Sequence, residues 1–231
     1  MIVCHQYRFI FLKTNKTAGT SVEIALSRFC GPGDIITPIS PADEKTRQEL
    51  GYRGPQNYLA TWYEYNPRDI LRYLRKGRKK RRFYNHIPAK MIKARIGNET
   101  WKNYFKFCIE RNPWDKAVSL YHWKYKKTTK PPPFTEYIQS DIPYRLKQHG
   151  IDVYSIDGKI VADKICKYEN LEEELEEVRS LLRLPDKLEL PKAKSQFRKK
   201  RKNYRDYYSE ADKNCVAEMF ADEIEHFNYN F

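Results

Sequence analysis

Residues 13–21, Lys-Thr-Asn-Lys-Thr-Ala-Gly-Thr-Ser, have side chains and a spacing that suit a phosphate group. They follow residues 7–12, a β-branched and aromatic run typical of a strand, and precede apolar residues at helical spacing. A helix N-terminus offers unpaired backbone N–H groups and the positive end of the helix dipole. Gly19 lets the backbone approach a ligand, and Lys16 adds a positive charge. The segment is typical of a phosphate-binding loop, although an ordinary turn between a strand and a helix shares the pattern.

This loop differs from the Walker A loop of nucleoside triphosphate hydrolases. The opening glycine of that motif is absent, and Lys16 lies three residues before Gly19 instead of directly after a glycine. The difference disfavours nucleoside triphosphate hydrolysis. A kinase-like phosphoryl transferase stays an alternative, which magnesium dependence would distinguish.

A second junction between a strand and a helix lies at residues 107–119. Residues 104–109 form an almost continuous apolar run, and Pro113 suits the first position of a helix. Arg111 follows the strand and Ser119 lies two helical turns further on, so both side chains can face one anion. A guanidinium group matches the geometry of phosphate oxygens, and a hydroxyl group completes their ligation. An arginine paired with an acidic neighbour would explain the same residues without a ligand.

Together the two segments resemble the carbohydrate sulfotransferases that use 3′-phosphoadenosine 5′-phosphosulfate (PAPS). Lys16-Thr17-Ala18-Gly19-Thr20-Ser21 is similar to their 5′-phosphosulfate loop, and Arg111-Asn112-Pro113 through Ser119 is similar to their 3′-phosphate segment. The resemblance is closest to the Golgi chondroitin and heparan O-sulfotransferases and their microbial relatives.

The resemblance extends over nearly the whole chain. Three shorter stretches are also similar to family patterns, at residues 85–88, 167–171 and 201–208. Three positions depart from the family, which has a proline, a glycine and a second arginine where this chain has Asn15, Asn85 and Lys116.

The resemblance implies an enzyme that moves the sulfuryl group of PAPS to an acceptor hydroxyl, by family analogy on a carbohydrate, without a metal. Lys16 would stabilise charge on the bridging and sulfuryl oxygens, and residues 17–21 would hold the 5′-phosphate. Arg111 and Ser119 would hold the 3′-phosphate. In the basic run near the C-terminus, Arg201 is the expected further phosphate contact.

The reaction also needs a group that removes the proton of the acceptor hydroxyl. His86 matches the family histidine and is the expected general base, because an imidazole titrates near neutral pH. Glu110 and Glu64 are the alternatives for this role.

Strands that alternate with helices predict an α/β fold with a mainly parallel sheet. The resemblance implies a P-loop-NTPase-like three-layer sandwich, in which helices flank that central sheet. The chain length and the lack of a linker-like stretch predict one domain over residues 1–231. Residues 31–66 are rich in turn formers and predict an irregular surface segment.

Local signals predict five further elements. They are a helix from Pro67 capped by Asn66, a strand at residues 83–84, a tight hairpin at Asp157-Gly158, a capping box of Asn170 with Glu173, and one helix over residues 209–227.

The net charge of +14 indicates a polyanionic partner or an anionic small molecule. Much of the excess lies in two basic runs, at residues 75–82 and 198–202. A nucleic-acid-binding module is therefore the competing hypothesis, favoured also by tyrosines among the basic residues 204–208. That hypothesis leaves both phosphate segments unexplained, so we expect no nucleic acid partner.

Five cysteines are scattered along the chain without a C-x-x-C spacing, so the sequence predicts neither a zinc site nor a disulfide framework. The longest apolar run is far shorter than the roughly 20 residues that a membrane helix needs, and no signal peptide is recognised. We therefore expect a soluble protein in a reducing compartment, the cytoplasm.

Overall fold

The computed structural model describes residues 1–191 and 203–231, apart from the side chains of Gln148 and His149. The strands in these residues are β1 (Ile2–Cys4), β2 (Phe9–Phe11), β3 (Ile35–Ile36), β4 (Phe105–Glu110), β5 (Ser155–Ile156), β6 (Lys159–Ile160) and β7 (Lys164–Lys167). The helices are α1 (Gly19–Ser27), α2 (Pro41–Glu49), α3 (Pro67–Lys76), α4 (Ala89–Ile96), α5 (Asn98–Asn103), α6 (Pro113–Tyr125), α7 (Phe134–Gln139), α8 (Asp141–Ile151), α9 (Leu171–Leu181), α10 (Glu210–Met219) and α11 (Ala221–Phe227).

The central sheet contains five of these strands in the order β3–β1–β2–β4–β7. β2 pairs in parallel with β4, and β4 in parallel with β7, whereas β1 is antiparallel to both of its neighbours. Four of the five strands therefore run in one direction. The prediction of an α/β fold with a mainly parallel sheet is confirmed.

Helices cover both faces of this sheet, because successive side chains of a strand point to opposite faces. Phe9 and Phe11 of β2 pack with residues of α1 and α9 in one buried cluster. Ile10, between them, packs on the other face with residues of α4 and α5. A third apolar cluster joins α6, α7, α8, α10 and α11. Removing these side chains from water is the main stabilisation of the fold.

Several helix and turn boundaries confirm the sequence predictions. α6 begins at Pro113, and the amide of Trp114 donates a hydrogen bond to the Asn112 side chain at 3.1 Å. α3 begins at Pro67 behind a capping box formed by Asn66. The hairpin of β5 and β6 turns at Asp157 and Gly158, both with positive φ.

Residues 31–66 are more regular than predicted. Ile35 and Ile36 form β3 at the edge of the sheet, and α2 follows after Ser40, whose hydroxyl accepts a hydrogen bond from the amide of Asp43. The periodicity of apolar residues missed α2, because its sequence is almost entirely polar and the helix is supported by its cap and by Pro41 at its first position.

Three other local predictions are wrong. Residues 83–84 form no strand but lead into a turn. Asn170 provides no side-chain cap, because it ends a 3₁₀ turn that runs directly into α9. The predicted helix over residues 209–227 breaks at Phe220, where the backbone leaves the helical region and the ring is buried in the third cluster. None of the described helices is both long enough and apolar enough to span a lipid bilayer.

Candidate functional site

The candidate site lies at the carboxyl edge of the sheet, where three neighbouring parallel strands end. The segments that follow β2, β4 and β7 meet there around a cleft of about 940 Å³. Open α/β sheets bind ligands at this edge. Topology alone therefore brings the two phosphate-type segments together, although they lie far apart in the sequence.

The loop after β2 is held against β4 by hydrogen bonds. The amide of Leu12 donates to the carbonyl of Phe107 at 2.8 Å, and the hydroxyl of Thr14 donates to the carbonyl of Ile109. The hydroxyl groups of Thr14 and Thr17 share a further hydrogen bond of 2.8 Å. These contacts fix the loop relative to the neighbouring strand.

The loop backbone is sharply curved just before α1. Lys16 has φ 64° and Ala18, the N-cap of α1, has φ 60°. Left-handed residues in such a turn direct successive backbone N–H groups towards a concave surface that suits an anion. The left-handed residues of this loop are thus Lys16 and Ala18, and Gly19 is not one of them.

Gly19 is instead required for packing. A Cβ atom at this position would lie 3.0 Å from Cγ of Lys13 and 3.4 Å from the carbonyl oxygen of Thr14. Its φ is not positive, so space rather than backbone conformation favours glycine here.

Most residues predicted to bind the 5′-phosphate line the cleft. The lining residues of the loop include Lys16, Thr17, Ala18, Gly19 and Thr20. Ser21 is only 5% exposed and does not line the cleft. The Lys16 ammonium group lies 5.3 Å from the centre of the Trp123 ring, which is close enough for a cation–π contact.

Arg111 lines the same cleft and is fixed on three sides. Its Nε atom donates to Asp115 Oδ2 at 2.8 Å, its Nη2 atom forms an ion pair of 2.6 Å with the same oxygen, and Nη1 donates to the carbonyl of Lys16 at 3.1 Å. Its guanidinium group also lies 4.2 Å from the centre of the Tyr168 ring. Arg111 therefore has the acidic partner that the alternative interpretation expected, and it also contacts the phosphate-type loop. Ser119, on α6, lines the same cleft.

His86, in the turn that precedes α4, also lines the cleft, and its ring has a defined orientation. Its Nδ1 atom lies 2.9 Å from the carbonyl oxygen of Lys13. A carbonyl oxygen only accepts, so Nδ1 carries the proton and Nε2 is the basic nitrogen of the neutral ring. Burial lowers the pKa of His86 to about 4, despite the hydrogen bond to Lys13, which favours the charged form. The imidazole is therefore neutral at pH 7 and can accept a proton.

A buried polar network connects the loop to the turn of His86. The Lys13 ammonium group donates to Glu23 at 2.5 Å and to the side-chain oxygen of Asn85 at 3.1 Å. The Asn85 amide group donates to the carbonyl of Pro38 at 2.7 Å. Asn85, which stands where the family pattern has glycine, thus joins three segments around the site.

The two alternative bases, Glu110 and Glu64, are not among the residues that line the cleft. Glu110 is buried and forms an ion pair of 2.7 Å with Lys116. Glu64 closes a 3₁₀ turn by accepting from the amide of Thr61. Lys116, at the position of the second family arginine, is likewise directed into the protein interior rather than to the cleft.

Sequence reasoning missed an aromatic wall of the cleft. Its residues include His122, Trp123, Tyr168, Tyr204 and Tyr207, and the side chains of His122 and Tyr207 share a hydrogen bond of 2.9 Å. The spacing in α6 contained a signal, because Trp123 follows Ser119 by four residues and thus lies on the same helix face. Arg201 lies outside the described residues.

One group of potential metal ligands occurs among the described residues, away from the cleft. The ligand atoms of Cys4, Cys30 and Asp34 lie within 4.8 Å of one another, near the opposite edge of the sheet. The Asp34 carboxylate already accepts from the amides of His5 and Gly31, at 2.6 and 2.7 Å, and from the Cys4 thiol. The group is therefore explained by local structure.

Comparisons with known proteins agree with the geometry. A family model described as "Sulfotransferase family" matches residues 1–230. An uncharacterized protein of Archaeoglobus fulgidus is 36% identical over 109 residues, which are 45% of this chain and 88% of that protein. No solved structure matches the chain significantly.

Proposed function

This chain belongs to the sulfotransferase family, and we propose that it moves the sulfuryl group of PAPS to a hydroxyl group of a carbohydrate acceptor. The observation that carries the proposal is the meeting of residues 13–20 with Arg111 and Ser119 at one cleft. Each segment alone has an ordinary structural explanation. Two anion-type segments at one cleft favour a ligand with two anionic ends, as PAPS has.

In the proposed complex, the backbone of residues 16–20 holds the 5′-phosphosulfate, and Arg111 and Ser119 hold the 3′-phosphate. The described hydrogen bonds of Arg111 use two of its five N–H donors, and the ion pair with Asp115 adds a third contact. They also fix the plane of the guanidinium group before a ligand arrives, which lowers the entropy cost of binding. A cleft of about 940 Å³ has the size expected for a nucleotide.

In the proposed reaction, the acceptor oxygen attacks sulfur and the bond between sulfur and the bridging phosphate oxygen breaks. A sulfate ester forms and adenosine 3′,5′-bisphosphate leaves. Nε2 of His86 takes the proton of the acceptor hydroxyl. The Lys16 ammonium group and the loop amides stabilise the negative charge that grows on the bridging oxygen. No step requires a metal, because Lys16 supplies the positive charge.

We further propose that residues 1–231 form one sulfotransferase domain with a P-loop-like arrangement of β2, the following loop and α1. A cytoplasmic, reducing location is supported by the five cysteines, all of which are free thiols. Arg201 stays a proposed phosphate contact, supported by its position just before Tyr204 and Tyr207 of the cleft wall.

The first test is thermal unfolding with adenosine 3′,5′-bisphosphate, compared with 5′-AMP and with ATP plus magnesium. At a ligand concentration of about 100 Kd the bisphosphate should stabilise the protein by about 2.7 kcal/mol. For a chain of this size that raises Tm by roughly 5–10 °C. Arg111→Ala should lose most of this shift, because it removes a charge-assisted contact.

A matched control is Arg145→Ala. Arg145 pairs with Asp141 at i,i+4 on α8, as Arg111 pairs with Asp115, but it is exposed and does not line the cleft. Its variant should keep the full shift. Equal stabilisation by ATP would instead favour a kinase-like enzyme. Tight DNA binding that weakens steeply with salt, without a nucleotide effect, would favour the nucleic-acid-binding module.

A further inference from the structure

Residues 58–82 form a small unit, here called the basic arm, that contains α3. Its two ends pair with each other: the Ala60 amide donates to the carbonyl of Lys80 at 3.0 Å, and the Arg82 amide donates to the carbonyl of Tyr58 at 2.8 Å. Inside the arm, Lys80 forms an ion pair of 2.7 Å with Asp69. The arm therefore has its own internal contacts that hold α3 in place.

The helix of the basic arm has an apolar face that the described part of the chain leaves uncovered. No residue of α3 is buried by the described residues. Ile70, Leu71 and Leu74 are 44, 49 and 73% exposed and lie on one face at i, i+1 and i+4. Trp62, also in the arm, is 64% exposed and packs against Tyr73 of the helix.

The rest of the arm is strongly cationic. Residues 67–82 contain nine Lys and Arg residues and one acidic residue. Arg68, Arg72 and Arg75 form a basic stripe at i, i+4 and i+7 that borders the apolar face on the side of Leu71. The helix thus combines an apolar face, a basic face and a neighbouring exposed tryptophan.

These features restrict the partner of the arm. A second copy of this chain would bring the same positive charge to the contact, which is unfavourable. A nucleic acid or a sulfated glycan would pair with the basic residues but would leave the apolar face in water. An anionic lipid surface satisfies both, because headgroups meet the basic side chains while the apolar face and the tryptophan enter the interface.

We propose that the basic arm docks this protein on an anionic membrane surface, with α3 lying in the plane of the interface. The proposal is independent of the reaction proposed above. The arm ends four residues before His86, so the docking surface and the cleft belong to neighbouring segments of the chain.

Sedimentation with vesicles of phosphatidylcholine containing phosphatidylglycerol, compared with phosphatidylcholine alone, tests the proposal. Wild type should bind the anionic vesicles selectively. The variant Leu71→Gln/Leu74→Gln keeps the charge and should weaken this binding by at least about tenfold, because it removes the apolar contact. Arg75→Gln/Arg78→Gln should weaken it by about fivefold for each residue removed.

Leu181→Gln is the matched control, because Leu181 is 55% exposed at the end of another helix, α9. It should bind vesicles as wild type does. Circular dichroism checks that every variant is folded, and all these positions are exposed. Unchanged vesicle binding by Leu71→Gln/Leu74→Gln would overturn the proposal, as would equal binding to uncharged vesicles. A different result is that heparin or DNA displaces the vesicles from wild type and binds equally well to Leu71→Gln/Leu74→Gln. That result would show that the arm binds a soluble polyanion and would overturn the proposal.

Discussion

His86 occupies a backbone conformation that most residues avoid. Its φ is 58°, and its ring is held by the hydrogen bond from Nδ1 to the carbonyl of Lys13. Asparagine tolerates positive φ better than most residues, and its side-chain amide can donate to the same carbonyl. His86→Asn therefore removes the basic nitrogen with little change in local geometry.

We expect His86→Asn to lower kcat for sulfuryl transfer by about 10²–10⁴-fold, which is the usual contribution of a general base. The measurement follows radiolabelled sulfate from the donor into a glycan acceptor found by screening. Stabilisation by adenosine 3′,5′-bisphosphate should be unchanged, since the proposed donor contacts stay in place. The exposed His226 provides the control variant His226→Asn. Full activity of His86→Asn would assign the base to another residue.

The low pKa of His86 also predicts how stability depends on pH. The folded state has a pKa of about 4 because of burial, against 6.5 for an ordinary histidine. As the pH falls below 6.5 the unfolded state binds the proton first, so stability declines until the pH reaches the folded pKa. Between pH 7 and pH 5 this costs about 2 kcal/mol. Thermal unfolding should therefore lose more stability over this interval in wild type than in His86→Asn. If wild type and His86→Asn lost the same stability between pH 7 and pH 5, the lowered pKa of His86 would be contradicted.

At the scale of elements, the junction of the loop with α1 depends on close packing at Gly19. A Cβ there meets Lys13, whose ammonium group is held by Glu23 and Asn85 and so cannot move away easily. Alanine normally stabilises a helix relative to glycine by roughly 0.5–1 kcal/mol. Overpacking typically costs about 1–3 kcal/mol, so the clash should dominate.

We therefore expect Gly19→Ala to lower Tm by several degrees and to weaken the bisphosphate shift, because Lys13 and the loop move together. Gly33→Ala is the control, since a Cβ at Gly33 meets nothing within 4 Å and its φ is not positive. That variant should be neutral or slightly stabilised. An equally stable Gly19→Ala would show that the loop can adjust.

The elements that position the candidate site were largely predictable from sequence, because each junction is a local signal. The strand, loop and helix around Gly19 are adjacent in the chain, as are Arg111 and the helix start at Pro113. β1 and β3 are too short for any periodicity, and their pairing with β2 and with each other is set by the rest of the sheet. α2 lacks an apolar pattern and depends on its cap.

At the scale of the whole molecule, the direction of side chains was the least predictable feature. Glu110 was a reasonable alternative base by sequence position, yet its carboxylate pairs with Lys116 in the interior. That partner lies on another element, and only the packing of α6 on β4 decides it. The aromatic wall is equally hard to predict, because Tyr168 and Tyr207 lie far in the sequence from Trp123 and only the tertiary fold brings them together. Sequence thus predicts the chemistry of the cleft better than its shape.

The parallel pairing of β2 with β4 has a consequence for folding kinetics. It joins the two halves of the cleft through contacts that span 95 residues, from Thr14 to Ile109 and from Lys16 to Arg111. Closing so long a stretch of chain is slow, and residues that are close in sequence do not form the anion site by themselves. The nucleotide can therefore bind only after this closure, so it should prolong the lifetime of the folded state while the refolding rate stays the same.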